Sequence, residues 1–118
     1  MKTSTINIFI VDDHKIFRDG LLLLLNQFEF VTVVGQAANG EEFLEFLENK
    51  VPDIVLMDIN MPIMNGIEAT KIATEKYPDL KVIALTTFFE DDHIDQMFAA
   101  GVEGYMLKRS NIEDFEIA

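Results

Sequence analysis

Short apolar runs rich in β-branched residues alternate along this chain with longer stretches whose apolar residues recur at helical spacing. Ile6–Val11 (INIFIV) reads as a first strand, followed by a helix over residues 15–27 with Ile16, Phe17, Leu21, Leu24 and Leu25 as its apolar positions. Residues 30–37 form a second strand and residues 40–49 a second helix, with Phe43, Leu44 and Leu47 on one face. Pro52 precedes a third strand over residues 54–57, and a turn containing Pro62, Asn65 and Gly66 leads into a helix from Ile67 to about Lys76, which Pro78 ends. Lys81–Thr86 is the fourth strand. Asp91 or Asp92 caps a helix running to Ala100, Gly101 stands at its stop, and Gly104–Leu107 is a short fifth strand.

Strands that are apolar on both faces and separated by single helices imply a parallel sheet covered on both sides, so the fold class is α/β. A chain of 118 residues, 49% hydrophobic and 25% charged, fits one globular domain spanning 1–118 that can bury about two-thirds of its surface. Ser110 and Glu113 have capping-box spacing and open a fifth helix, yet the sequence stops at Ala118. That helix is expected to be truncated, leaving part of one sheet face uncovered. An engineered boundary, a disordered tail or a longer parent chain would each account for it.

Charge narrows the function classes. Nine Lys and Arg against 21 Asp and Glu give a net charge of -12, the wrong sign for direct binding to nucleic acid. The chain has no cysteine, which removes disulfides, thiol catalysis and thiolate metal sites. Its two histidines, His14 and His93, are expected to be surface residues without metal partners. No apolar run approaches the ~20 residues of a membrane span, and the stretch after Lys2 lacks the features of a signal peptide. A cytoplasmic protein with no membrane contact is expected.

The strand ends carry the chemistry. In open α/β sheets the ligand site lies at the carboxyl ends of the strands, near the point where strand order reverses. The first strand ends in Asp12-Asp13, the third in Asp58, the fourth in Thr86-Thr87 and the fifth in Lys108. If strands one and three are neighbours, as in the order 2-1-3-4-5, three carboxylates crowd one pocket. Such crowding is costly unless a cation lies among them, and carboxylates with a carbonyl and waters form the oxygen cage that suits Mg²⁺. A lysine and a hydroxyl facing the same cluster complete what phosphoryl transfer to an Asp nucleophile requires.

Asp12-Asp13, the segment VLMDINMPIMNGIEA around Asp58, ALT ending in Thr86 and GYMLK ending in Lys108 together resemble the receiver domain of two-component response regulators. The segments VDDHKIFRDGL and VVGQAANGEE resemble its LuxR/NarL-type subclass, whose receivers precede a helix-turn-helix DNA-binding domain. The resemblance covers residues 6–110. It implies a flavodoxin-like (βα)5 doubly wound sheet and a chain that is the N-terminal part of a longer regulator whose DNA-binding output domain is not present here. It further implies that Asp58 is the phosphoacceptor, taking its phosphoryl group from a sensor histidine kinase or a small acyl phosphate. Asp13, Asp58 and the backbone carbonyl of Asn60 would hold Mg²⁺, with Asp12 acting through water. Lys108 and Thr86 would contact the phosphoryl group, and Thr86 and Tyr105 would form a switch that alters the face made by helix four, strand five and helix five. Homodimerisation on phosphorylation is implied, as is DNA contact only through an output domain. The chain would not be an enzyme beyond self-phosphorylation and autodephosphorylation. Two departures stand out: Thr87 replaces a smaller residue common in relatives, and the bulky Phe88 would shield the acyl phosphate from water.

Each residue has a plainer reading on its own. Asp12-Asp13 could cap a helix, Asp58 could be a turn residue, Lys108 a solvated strand end and Tyr105 a core residue. The run 21–25 reads as a buried helix face, and Glu41, Glu42, Glu45 and Glu48 as a solvated one. Polar groups ending four of the five strands in this combination argue against coincidence. A haloacid-dehalogenase-like phosphatase would need an acid where Asn60 stands, and a flavodoxin-like redox protein a phosphate loop where Asp12-Asp13-His14 stand. The remaining alternative is a pseudo-receiver that binds proteins without phosphorylation, although such domains characteristically lose an acid or the lysine.

Overall fold

Strand and helix alternate throughout the computed structural model, which describes residues 5–59, 61–86 and 91–107, with residues 86, 91–94 and 107 described by backbone alone. The elements are β1 (Ile6–Val11), α1 (Lys15–Leu25), β2 (Val31–Ala37), α2 (Gly40–Leu47), β3 (Ile54–Asp58), α3 (Gly66–Lys76), β4 (Lys81–Thr86), α4 (Asp91–Ala100) and β5 (Gly104–Leu107). All neighbouring strands run parallel in the order β2-β1-β3-β4-β5, as the receiver resemblance implies. Chain direction explains the winding. Right-handed crossovers place α1 on one face as the chain moves outward to β2, and α2 on the other as it returns past β1 to β3.

Side-chain alternation divides the core between the two faces. Phe9, Val11, Val55, Met57, Val82 and Ala84 point into the larger layer with Phe43 and Leu47 of α2, Ala69 and Ala73 of α3 and Met97 of α4. Ile8, Ile10, Leu56 and Leu85 point the other way, onto Leu21 and Leu25 of α1. Because the side-chain period is two, a one-residue slip would exchange these layers, so the packing also fixes which residues follow the last buried pair of each strand. At the centre of the larger layer, Phe9 lies 5.6 Å from Phe43 and 4.3 Å from Phe46, ring centre to ring centre.

Local signals set the helix ends. Asn39 and Asn65 cap α2 and α3, their side-chain oxygens accepting from the backbone N–H of Glu42 at 3.0 Å and Glu68 at 2.9 Å. Glu42 reciprocates by accepting from the N–H of Ala38 at 2.9 Å. Gly101 ends α4 with φ +115°, a conformation that favours glycine, as the sequence predicts. α4 begins at Asp91 itself, so Asp91 and Asp92 stand in its first turn and do not precede it.

Two expectations need correction. Ile16 does not join the core face of α1: it is 89% exposed, and within the apolar run Leu23 is 70% exposed while Leu21 and Leu25 are buried. Five consecutive helical residues span more than one face, and only positions four apart share the inner one. β2 is also not apolar on both faces, since Thr32 and Gln36 are exposed on a strand at the sheet edge. The glutamates of α2 are exposed as expected. The expected fifth helix at Ser110 lies outside the described residues. Among the described residues no helix is long and apolar enough to cross a membrane.

Phe9→Ala removes the ring packed between α2 and the sheet and is expected to lower unfolding free energy by about 3–5 kcal/mol, measured by urea titration.

Candidate functional site

The pairing of β1 with β3 builds the site. Val11 is in register with Met57, so the residues that follow, Asp12 and Asp58, emerge side by side at the carboxyl edge of the sheet. Asp12 stays in line because its N–H donates to the carbonyl of Ala37 at 3.0 Å, extending the ladder with β2 by one bond. Both carboxylates are deeply placed, Asp12 at 0% and Asp58 at 4% exposure. Asp13 turns toward solvent, its side chain 29% exposed. One ligand atom from each of Asp12, Asp13, His14 and Asp58 can be chosen so that all lie within 4.8 Å of one another.

The first loop is held by its own side chains. Asp12 Oδ1 accepts from the backbone N–H of His14 at 2.8 Å, fixing the turn into α1. Arg18, one turn inside α1, donates through Nη1 to the Asp12 carbonyl at 2.6 Å and through Nε to Gln36 Oε1 at 3.2 Å, bridging loop, helix and β2. His14 precedes α1 with a 64% exposed side chain, and its Nδ1 lies 3.1 Å from Asp12 Oδ1 and 3.3 Å from Asp13 Oδ1.

The second loop, after β3, folds back tightly. The N–H of Gly66 donates to the carbonyl of Ile59 at 2.8 Å, and a Cβ on Gly66 would overlap the carbonyl oxygen of Asp58. Only glycine permits this approach of α3 to the end of β3. Between these points Met64 N–H donates to the Pro62 carbonyl at 2.7 Å, closing a γ-turn in which Ile63 has φ 70°. A β-branched residue there is strained, and its side chain is 75% exposed. The Met64 carbonyl accepts from Gly40 N–H at 3.1 Å, tying the loop to α2.

The structure therefore unites Asp12, Asp13 and Asp58, as expected from the strand ends, and adds His14, which the sequence left without partners. Histidine next to two acids was the available signal, but the turn that aims its ring back at them cannot be read from residue order. The capping reading of Asp12-Asp13 is replaced: the residue before α1 is His14, and Asp12 bonds to that residue's own N–H. Thr86 ends β4, one residue past the Asp58–Leu85 pair. Asn60, Thr87, Phe88 and Lys108 lie outside the described residues. Tyr105 is 41% exposed and meets Phe98 of α4 edge-on at 6.1 Å, so it is not a core residue. A groove of about 600 Å³ at the opposite edge, lined by Pro52, Tyr77, Pro78 and Leu80, contains none of these acids.

Carboxylates this close and this buried repel, and their oxygens form a donor set for a hard divalent cation. Residues 8–118 match the family described as the response regulator receiver domain. The chain belongs to that family. This receiver domain is 46% identical over 103 residues to the transcriptional regulatory protein LnrK of Bacillus subtilis (strain 168), an alignment covering 87% of this chain and 47% of LnrK. It superposes with a TM-score of 0.90 on a LuxR-family two-component response regulator from Aurantimonas sp. SI85-9A1, at 32% identity over 98% of this chain and 82% of that one. It is similar also to the signal receiver domain of the response regulator NarL from Mycobacterium tuberculosis, with a TM-score of 0.88 and 28% identity over 94% and 90% of the two chains. Its relatives are thus LuxR/NarL-type regulators, and the chain spans about half the length of the curated relatives it matches, 47% of both LnrK and DegU of Brevibacillus brevis.

The loop after Asp58 gives two expected stability changes of opposite sign. Gly66→Ala forces α3 away from the Asp58 carbonyl and should cost more than about 2 kcal/mol. Ile63→Gly relieves a positive φ and should add about 1 kcal/mol. Urea unfolding followed by far-UV circular dichroism measures both.

Proposed function

We propose that this receiver domain accepts a phosphoryl group on Asp58 from the phosphohistidine of a sensor histidine kinase, or from a small acyl phosphate, and thereby controls an output domain. The supporting observation is the juxtaposition of buried Asp58 with Asp12 and Asp13 at the carboxyl edge of the sheet. An Oδ atom of Asp58 attacks phosphorus as the P–N bond breaks, and the bonding pair returns to a donor imidazole that already carries a proton on its other nitrogen, so the ring leaves neutral while Asp58 becomes an acyl phosphate. Asp13, Asp58 and the backbone carbonyl of Asn60 would hold the cation, with Asp12 acting through water. Mg²⁺ bound there would supply the charge that offsets crowded carboxylates and phosphoryl oxygens.

The remaining residues read the new charge. Lys108 pairs with the phosphoryl group and Thr86 donates a hydrogen bond to it. Those contacts exist only in the phosphorylated state, so they bias an equilibrium between two arrangements of α4, β5 and the segment after it. Tyr105, half-exposed against Phe98, is the aromatic that moves inward as Thr86 moves toward the phosphoryl group. Phe88 slows hydrolysis by restricting water. The chain performs no turnover beyond its own phosphorylation and autodephosphorylation. It acts in the cytoplasm, dimerises when phosphorylated and reaches DNA only through an output domain. Support for transcriptional output comes from LnrK and DegU, named as transcriptional regulatory proteins and about twice the length of this chain.

Intact mass after incubation with acetyl phosphate and Mg²⁺ tests this reading. A single phosphoryl adduct is expected on the wild type, and none with Asp58→Asn or with EDTA. Mg²⁺ binding without an adduct would replace it with a pseudo-receiver that binds a protein partner constitutively.

A further inference from the structure

His14 is the one residue of the cluster whose donor is not oxygen. Its Nδ1 lies 3.1 Å from Asp12 Oδ1 and 3.3 Å from Asp13 Oδ1. Two adjacent ligands of one ion, each about 2.1 Å from it, stand about 3.0 Å apart in octahedral and about 3.4 Å apart in tetrahedral coordination. The whole set, with Asp58, lies within 4.8 Å. The Nδ1–Asp12 contact is a hydrogen bond at a spacing that two ligands of one ion also take, so an ion drawing on both would exchange that bond for bonds to the metal and draw Asp58 closer. The chain positions it firmly: the His14 N–H is bonded to Asp12 Oδ1 at 2.8 Å, and the Asp12 carbonyl is held by Arg18 at 2.6 Å.

We infer that His14 determines which divalent ion this acid site prefers, acting as a nitrogen ligand for borderline ions such as Zn²⁺ and Co²⁺ while leaving Mg²⁺ to the oxygens. Imidazole suits Zn²⁺, Co²⁺ and Ni²⁺, whereas Mg²⁺ retains waters and takes carboxylate and carbonyl oxygens. One mixed site therefore serves two ion classes through different ligand subsets, and a borderline ion bound through His14 competes with Mg²⁺ for Asp13 and Asp58. With a 64% exposed side chain, His14 can make this change by rotation of its ring without opening the core. The inference rests on the proposed cation site at Asp13 and Asp58.

Equilibrium dialysis against Co²⁺, Zn²⁺ and Mg²⁺, with the visible absorption of bound Co²⁺, tests it on wild type, His14→Ala and His14→Asn. Asparagine can still donate a hydrogen bond to the acids but is a poor ligand for these ions. Both variants are expected to lose about tenfold or more in Co²⁺ and Zn²⁺ affinity, to alter the Co²⁺ band and to keep Mg²⁺ affinity within about twofold. Unchanged Co²⁺ and Zn²⁺ affinity in His14→Ala overturns the inference, as does recovery of wild-type affinity in His14→Asn, which would make His14 a hydrogen-bonding residue only. The acetyl phosphate adduct separates the two readings. His14-dependent Co²⁺ binding in a chain that never forms the adduct keeps this inference and removes the phosphoacceptor reading. Adduct formation with His14-independent Co²⁺ binding does the reverse.

Discussion

Parallel pairing of β1 with β3 is the constraint from which the site follows. The register that aligns Val11 with Met57 leaves Asp12 and Asp58 as the next polar positions on adjacent strands, about 4.8 Å apart in backbone terms. Neither strand can slip to separate them, because Phe9, Val11, Val55 and Met57 fill one layer and Ile8, Ile10 and Leu56 the other. Hydrophobic packing therefore enforces an electrostatically unfavourable juxtaposition, which a cation bound among the acids would relieve.

The two loops bordering the acids complete that enforcement by different means. Arg18 holds the first through the Asp12 carbonyl, and Gly66 allows α3 to sit against the carbonyl of Asp58 in the second. A strained γ-turn at Ile63 persists because backbone bonds at Ile59 and Met64 hold the loop on both sides of it. The result is an edge whose innermost acids are buried and whose rim, at Asp13, His14 and Ile63, is exposed.

Much of this was legible in residue order. Strand and helix periods alternate so regularly that the class of fold follows from the pattern, while the sheet order came from the receiver resemblance and, with the topology rule for strand ends, brought Asp12, Asp13 and Asp58 together. Faces within a continuous apolar run were less legible. Ile16 and Leu23 look like core residues in sequence, yet helix rotation sends them outward while Leu21 and Leu25 pack inward. His14 was missed for a related reason: three consecutive polar residues follow β1, and whether the third points away or back depends on a turn held by an Asp12 hydrogen bond and an Arg18 contact six residues from that aspartate. Sequence spacing does not encode that turn.

Thermal unfolding of the wild type and Asp58→Asn, each across a Mg²⁺ titration, measures the central claim that packing forces the carboxylates together and a cation relieves them. The account predicts that without metal the Asn variant melts above the wild type, and that Mg²⁺ raises the wild-type midpoint and closes the gap, since a ligand that binds only the folded chain stabilises it in proportion to the logarithm of its concentration. A wild-type midpoint indifferent to Mg²⁺, together with an Asn variant that melts lower, would contradict it.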